Sequence, residues 1–216
     1  DSDGDGWSEA SDSYPNDKLL WSDDDGDGYA DQSGTALSDD CPEVAGTSIW
    51  SLLGCIDTDG DGWADTEEEY PLDVSQWRDT DEDGYGDNAD GTDGDLCPLQ
   101  EGYSAIDRLG CPDADEDGYS DPADAWTVDE GADAFPSDDS QWRDSDLDGF
   151  GDNPAPAKMA DVCPVIHGTS TEDRIGCPDT DDDGWSDDGD SFVFDITQWA
   201  DGDSDGYGVA IGPLGD

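Results

Sequence analysis

The chain has 216 residues, of which 62 are acidic and 6 are basic, so its formal net charge is −56. A charge of this size opposes compaction by self-repulsion and excludes nucleic acid, itself a polyanion, as a partner. Leu, Ile, Val and Phe are too sparse for the core of an ordinary domain of this length, and no segment has the apolar length of a membrane span.

One string, D-x-D-x-D-G-aromatic, occurs eight times and argues against the disordered acidic region that composition alone would indicate. The strings alternate as an A loop and a B loop, and each pair follows the last after 56 residues, or once after 66. The longer step contains nine extra residues within 124–134 and one more before Cys163. We therefore expect an array of four repeat units, 1–55, 56–111, 112–177 and a truncated 178–216. The chain begins inside a loop and without methionine, which indicates a processed product or a piece of something longer.

Each loop has the residue types that bind calcium. Ca²⁺ takes six to eight oxygen ligands, and carboxylates at positions 1, 3 and 5 of a tight loop can converge on one ion. Glycine at position 6 permits the sharp turn, and position 7 contributes its backbone carbonyl. An acid at position 9 often acts through water, and an acid at position 12 closes the site. The sequence therefore predicts Ca²⁺ as the cofactor, with about eight or more ions in the chain.

Repeat unit 1 has a complete A loop, whose predicted ligands are Asp1, Asp3, Asp5, Trp7, Glu9 and Asp12. Its B loop offers Asp23, Asp25, Asp27, Tyr29 and Asp31. Position 12 of this B loop is Gly34, so an acid from elsewhere must close it. Asp39, two residues before a Cys-Pro pair, is predicted to do so or to bridge a second ion. Asp17, four residues before the Trp that precedes the B loop, is a further candidate.

Repeat unit 2 follows the same order, with predicted A-loop ligands Asp57, Asp59, Asp61, Trp63, Asp65 and Glu68. The B-loop ligands are Asp79, Asp81, Asp83, Tyr85 and Asp87. This is the one B loop with an acid at position 12, Asp90. Asp73 and Asp95 recur at the offsets of Asp17 and Asp39.

Repeat unit 3 contains the insertion, and the predicted ligands of its A loop are Asp113, Asp115, Asp117, Tyr119 and Asp121. The insertion leaves both Asp124 and Asp133 able to close this loop, and the sequence does not choose between them. The B loop offers Asp144, Asp146, Asp148, Phe150 and Asp152. It has Ala155 at position 12, while Asp138 and Asp161 recur at the two offsets.

Repeat unit 4 is truncated, and its A-loop ligands are predicted to be Asp179, Asp181, Asp183, Trp185, Asp187 and Asp190. The last B loop offers Asp201, Asp203, Asp205 and Tyr207. It has Val209 and Gly212 at positions 9 and 12, so its closure is weak, and Asp195 is the only recurring acid.

Two alternatives remain for these residues. The recurring acids outside the loops could be solvated turn residues, although their constant register favours ligation. The aromatic rings at position 7 are expected to pack between loops rather than to bind a ligand. Stacking on a sugar stays open for any exposed Trp, and Trp50 and Trp126 are the least tied to the repeat.

Six cysteines occur as three pairs with the same separation, Cys41/Cys55, Cys97/Cys111 and Cys163/Cys177. Six cysteines allow 15 connectivities, of which local pairing within each repeat is the simplest. A zinc site is the competing interpretation, but His167 is the only histidine and there is no C-x-x-C. Disulfides indicate an oxidising compartment, so we expect an extracellular or cell-surface protein.

The expected fold class is irregular, because Gly, Asp, Asn, Ser and Pro dominate and no window keeps helical periodicity. Short strands could flank the loops, and 48–53 and 104–109 could each form a helical turn. An EF-hand or dockerin needs helices after the loop, whereas SYPND, EYPLD and SFVFD follow position 12 in the A loops of units 1, 2 and 4.

The chain resembles thrombospondin type 3 repeats, particularly those of microbial surface proteins. The resemblance rests on DTDGDGWADTEE (57–68), DTDEDGYGDN (79–88), GDLCP (94–98) and GCPDADEDGYSD (110–121), with counterparts in each unit. It implies an elongated, disulfide-linked array of paired loops stapled by Ca²⁺, often two ions per motif, in a stalk or adhesive module. The insertion, the truncated last unit and Val209 depart from this pattern.

The sequence predicts a structural function: a Ca²⁺-rigidified stalk, spacer or filament segment whose partners include further copies of itself or a larger surface protein. The alternative is a calcium-dependent adhesion module that binds a cell-surface glycan or protein. An enzyme is not expected, since ion ligation accounts for the carboxylates and no nucleophile–base pair surrounds His167.

Overall fold

The computed structural model describes residues 1–208, and turns and bends make up nearly all of that part of the chain. The one helix described there is a 3₁₀ turn, Val128–Glu130, inside the insertion. Pairing of extended backbone within 1–208 is limited to four isolated bridges. The irregular fold class is therefore confirmed. Val209 and Gly212, the predicted positions 9 and 12 of the last B loop, lie outside the described residues.

The prediction of helical turns at 48–53 and 104–109 is wrong. Serine side chains there bind backbone groups that a helix would pair with each other. The Ser48 hydroxyl donates to the Leu52 carbonyl and accepts the Cys55 N–H. Ser104 binds the Arg108 carbonyl and the Cys111 N–H in the same way. Such local side-chain bonds compete with helix formation, and neither 48–53 nor 104–109 contains a helical residue.

The chain forms two compact halves, Asp1–Glu101 and Gly102–Asp216. Each half contains two A/B loop pairs. The division falls within the second Cys–Cys segment, whereas the first three predicted repeat units each end at a second cysteine.

The interior of each half is largely polar. Among the largest fully buried side chains are Gln76 and Gln141, together with aspartates and serines. The Gln76 amide accepts the Asn88 N–H at 3.0 Å and donates to the carbonyls of Asn88 and Thr92 at 2.9 and 3.0 Å. Hydrogen bonds thus satisfy groups whose burial would otherwise be costly.

Aromatic rings supply local packing, as the sequence predicted. The position-7 ring of an A loop stacks on the Trp that precedes the next B loop in three repeat units. The ring centroids are 6.4 Å apart in unit 1, 5.0 Å in unit 3 and 6.1 Å in unit 4. These stacks tie the two loops of a pair together.

Disulfides join Cys41 to Cys55 and Cys163 to Cys177, each with a Cα–Cα distance of 5.1 Å. Cys97 and Cys111 are disulfide-bonded as well, and none of the described cysteines is free. We call the segments 41–55, 97–111 and 163–177 the cystine loops. Over the described residues no helix is long and apolar enough to cross a membrane.

Candidate metal centre

The carboxylates at loop positions 1, 3 and 5 converge. In each of the first five loops the three aspartates place one oxygen each within 4.8 Å of the others, and three further acidic groups of this kind occur in the described residues. The five triads are Asp1–Asp3–Asp5, Asp23–Asp25–Asp27, Asp57–Asp59–Asp61, Asp79–Asp81–Asp83 and Asp113–Asp115–Asp117.

Backbone N–H groups hold the carboxylates in place. In the A loop of unit 2, Asp57 accepts the N–H of Gly60 at 2.7 Å and of Gly62 at 3.0 Å. Asp61 Oδ1 accepts the Trp63 N–H at 2.7 Å. Gly62 has a φ of 100°, a left-handed conformation that explains the glycine at position 6. The same bond from position 7 to position 5 is present in all eight loops.

Several position-9 acids accept hydrogen bonds from position 2 of their own loop. Asp65 accepts the N–H of Thr58 at 2.7 Å and its hydroxyl at 2.6 Å, so both carboxylate oxygens bind protein donors. Asp87, Asp152 and Asp187 bind the residue at position 2 in the same way. The structure therefore gives position 9 a role in shaping the loop, and its role as a ligand stays a prediction.

Of the two acids predicted to close the third A loop, Asp133 is buried and Asp124 is not. Asp133 is 0% exposed, and its N–H donates to the carbonyl of Ser120, at loop position 8, at 2.9 Å. Its Oδ1 accepts the Phe135 N–H at 2.7 Å, and its Oδ2 has no hydrogen-bond partner. Asp124 is exposed. The structure thus favours Asp133 over Asp124, an alternative that the sequence left open.

The acids that precede the cystine loops are hydrogen-bonded to the B loops, where they are predicted to close the sites. The N–H groups of Asp39, Asp95 and Asp161 each donate at 2.8 Å to the carbonyl of loop position 8. Each Oδ1 accepts the N–H of the cysteine two residues on, at 2.6–2.7 Å, and each Oδ2 is buried without a partner. This is the construction seen at Asp133. Asp90, the position-12 acid of the second B loop, is instead exposed.

Other carboxylate oxygens in the loops are also buried without a hydrogen-bond partner. They include oxygens at positions 3, 5 and 12, on Asp3, Asp5, Asp25, Asp59, Asp61, Glu68, Asp81, Asp115, Asp117, Asp146, Asp181 and Asp183. A buried oxygen left without a donor is destabilising unless a cation binds it.

Burial and crowding of the carboxylates disfavour their charged forms. Burial, reinforced by the neighbouring Asp117 and Asp115, raises the pKa of Asp133 to about 7. Burial and the adjacent loop aspartates raise the pKa of Glu68 to about 7 and that of Asp95 to about 6. A divalent cation would reverse these shifts, because it stabilises the ionised carboxylates around it.

The recurring acids before each B-loop Trp have a different environment. Asp73 Oδ1 accepts the Ser75 hydroxyl at 2.7 Å and its N–H at 3.0 Å, and these bonds lower the pKa of Asp73. Asp138 and Asp195 bind Ser140 and Thr197 similarly, and Asp17 accepts the Leu19 N–H at 3.2 Å. These bonds stabilise turns, and the predicted ligand role of the four acids is not tested by them.

The cystine loops contact the ion loops on both sides, which the sequence prediction missed. The Gly46 N–H donates to Asp27 Oδ2 of the preceding B loop at 2.9 Å, and the Gly168 N–H donates to Asp148 Oδ2 at 2.9 Å. Toward the following A loop, the N–H groups of Ile49 and Trp50 both donate to the Gly62 carbonyl. The available signal was the recurrence of G-x-S five residues after the first cysteine of each pair.

No family model matches the chain, and no curated protein sequence matches it. The metal-binding interpretation therefore depends on the loops themselves. Their donor set is entirely oxygen, since the described cysteines are disulfide-bonded.

Proposed function

We propose that the chain is an extracellular calcium-binding repeat protein of the thrombospondin type 3 kind. Its role would be that of a Ca²⁺-rigidified stalk, spacer or filament segment. The observation that carries this proposal is the closing acid: at Asp39, Asp95, Asp133 and Asp161, one oxygen is bound by a backbone N–H and the other is buried without a partner.

Calcium fits this donor set better than zinc or magnesium. Zinc prefers sulfur and nitrogen ligands, which the loops do not supply. Magnesium demands an octahedral shell and retains several waters, whereas calcium accepts six to eight oxygens in flexible geometry. Disulfides support an oxidising location, where calcium is abundant enough for sites of modest affinity.

Calcium removal tests the proposal. Native mass spectrometry should count about eight or more Ca²⁺ per chain. Excess chelator should abolish the near-UV circular dichroism of the tryptophans, because ion loss restores repulsion among the carboxylates. Refilling with Mg²⁺ at the same concentration serves as the control and should restore little of the signal. A near-UV spectrum unchanged in chelator would contradict the metal-dependent fold.

A calcium-dependent adhesion module is the second candidate, favoured by exposed aromatic side chains such as Trp50 and Tyr103. Binding to a glycan or protein array in Ca²⁺ that disappears in chelator would support it. Electron microscopy in millimolar Ca²⁺ distinguishes a filament segment from the other structural roles, since compact monomers alone would contradict a filament.

A further inference from the structure

A cavity lies beside the A loop of repeat unit 2, and the calcium-binding proposal assigns no role to its indole rings. Its volume is ≈ 610 Å³, within the roughly 300–1,000 Å³ of small-molecule sites, and it is lined by Trp50, Gly60, Asp61, Trp63, Val74 and Trp77. We propose that this tryptophan cavity binds an alkylammonium group, quaternary or methylated.

The cavity replaces a ring stack found in the other repeat units. Trp63 and Trp77 correspond to the pairs that stack in units 1, 3 and 4, but no stack between them occurs among the described rings. Both instead face the cavity together with Trp50. The residues equivalent to Trp50 are Ile106 and Glu172, so the first cystine loop is the only one of the three with an indole at this position.

Trp50 is exposed yet fixed in position. Its side chain is 66% exposed, although its N–H donates to the Gly62 carbonyl at 2.9 Å. The indole lies so close to Gly62 that a Cβ added there would meet Trp50 at 2.5 Å. The backbone bond fixes where the indole is attached, and contact with Gly62 limits its rotamers, which favours affinity.

The lining selects the class of ligand. Tryptophan faces attract cations more strongly than other aromatic rings, and three tryptophans line this cavity. A sugar would require several placed hydrogen-bonding groups, whereas Asp61 is the only charged residue in the described lining. The net charge of −56 also concentrates cations at the surface. A choline headgroup and a methylated lysine both present this chemistry.

Choline titration of the full chain in saturating Ca²⁺ tests the inference, with tryptophan fluorescence and calorimetry as readouts. The probe is compared with 3,3-dimethyl-1-butanol, its uncharged isostere. Choline should saturate and bind about tenfold more tightly than the isostere, the difference that a desolvated cation–π contact supplies. Equal binding of the two, saturable binding of a neutral sugar instead, or no saturable binding of choline would overturn the proposal.

Trp50→Ile is the matched variant, because the second cystine loop carries Ile106 at this position with the same backbone bonds. It should weaken choline binding by about tenfold, while Trp126→Ile, outside the cavity, should not. Unchanged binding in Trp50→Ile would overturn the proposed site. If the isoleucine variant misfolds, Trp50→Phe takes its place, with a partial loss of binding expected. Phosphatidylcholine vesicles and a trimethyl-lysine peptide then distinguish the two sources. Calcium counting on the same samples separates failure of this site from failure of the calcium proposal.

Discussion

The A and B loops share one sequence pattern but are closed from different parts of the chain. An A loop is closed by an acid that leads into the aromatic segment before the B loop, as Asp133 does. A B loop is closed by the acid before a cystine loop, as Asp161 is. The acid proposed to close a B loop therefore adjoins a disulfide-bonded segment, whereas the one proposed to close an A loop lies within its own loop pair.

The position-5 carboxylates of the A and B loops also differ in the hydrogen bonding of their Oδ2 atoms. In the A loops, Oδ2 of Asp5, Asp61, Asp117 and Asp183 is buried without a partner. In the B loops, Oδ2 of Asp27 and Asp148 accepts a glycine N–H from a cystine loop. One fewer oxygen is free for an ion in these B loops, so we expect the A loops to bind Ca²⁺ more tightly.

Removing a disulfide should have the largest effect, because it destabilises the segment that adjoins a B loop. In the double variant Cys163→Ser and Cys177→Ser, the free energy of unfolding should fall by about 3 kcal/mol, because the open chain gains entropy. Urea unfolding in saturating Ca²⁺ measures this change. In a calcium titration of this variant, the B loop beginning at Asp144 should lose more affinity than the A loop beginning at Asp113. Equal losses in both would contradict the proposed dependence.

A single methyl group should disturb the same junction. A Cβ on Gly168 would lie 2.1–2.2 Å from the Cys177 carbonyl group. Gly168→Ala should therefore cost about 1–3 kcal/mol of unfolding free energy, as well as displace the N–H that binds Asp148. Gly202→Ala is the control, since no atom lies within 4 Å of its Cβ position. Similar losses in both variants would show that the junction is not specifically constrained.

The sequence predicted the local features of the fold and left the longer-range choices open. Turn chemistry is local, so the triads and the irregular backbone followed from residue spacing alone. Asp39 and its equivalents were found because their offset from a cysteine is constant. The choice of Asp133 depends on a bond from its N–H to Ser120 across the insertion, and no local pattern encodes that closure. The role of the cystine loops was missed because backbone N–H groups, which every residue carries, make the contacts.

Neutralising the closing acid should test that choice directly. Asp133→Asn should weaken Ca²⁺ binding at one site by about tenfold or more, because the site loses a charged ligand. Asp124→Asn should leave the titration unchanged, since Asp124 is exposed. The pair Asp95→Asn and Asp90→Asn provides the same comparison in a B loop. Calorimetry with ion counting measures both pairs, and an effect of Asp124→Asn equal to that of Asp133→Asn would return Asp124 to the site.

The smallest expected effect is a pH dependence of opposite sign with and without calcium. In chelator, Asp133 and Glu68 have pKa values raised to about 7 and Asp95 to about 6. Their ionisation destabilises the ion-free fold, so any residual stability is highest below about pH 4, the unfolded pKa range, and falls as the pH rises through 6 and 7.

In calcium the same protons compete with the ion, so affinity should rise between about pH 5 and pH 7.5, by at most about tenfold per pH unit for each acid. Calcium titrations across this range measure the slope. Asp133→Asn should flatten it, whereas Asp124→Asn should not. If the calcium affinity did not change over the whole pH range, these buried carboxylates would not ionise on calcium binding. They would then be removed from the ligand set.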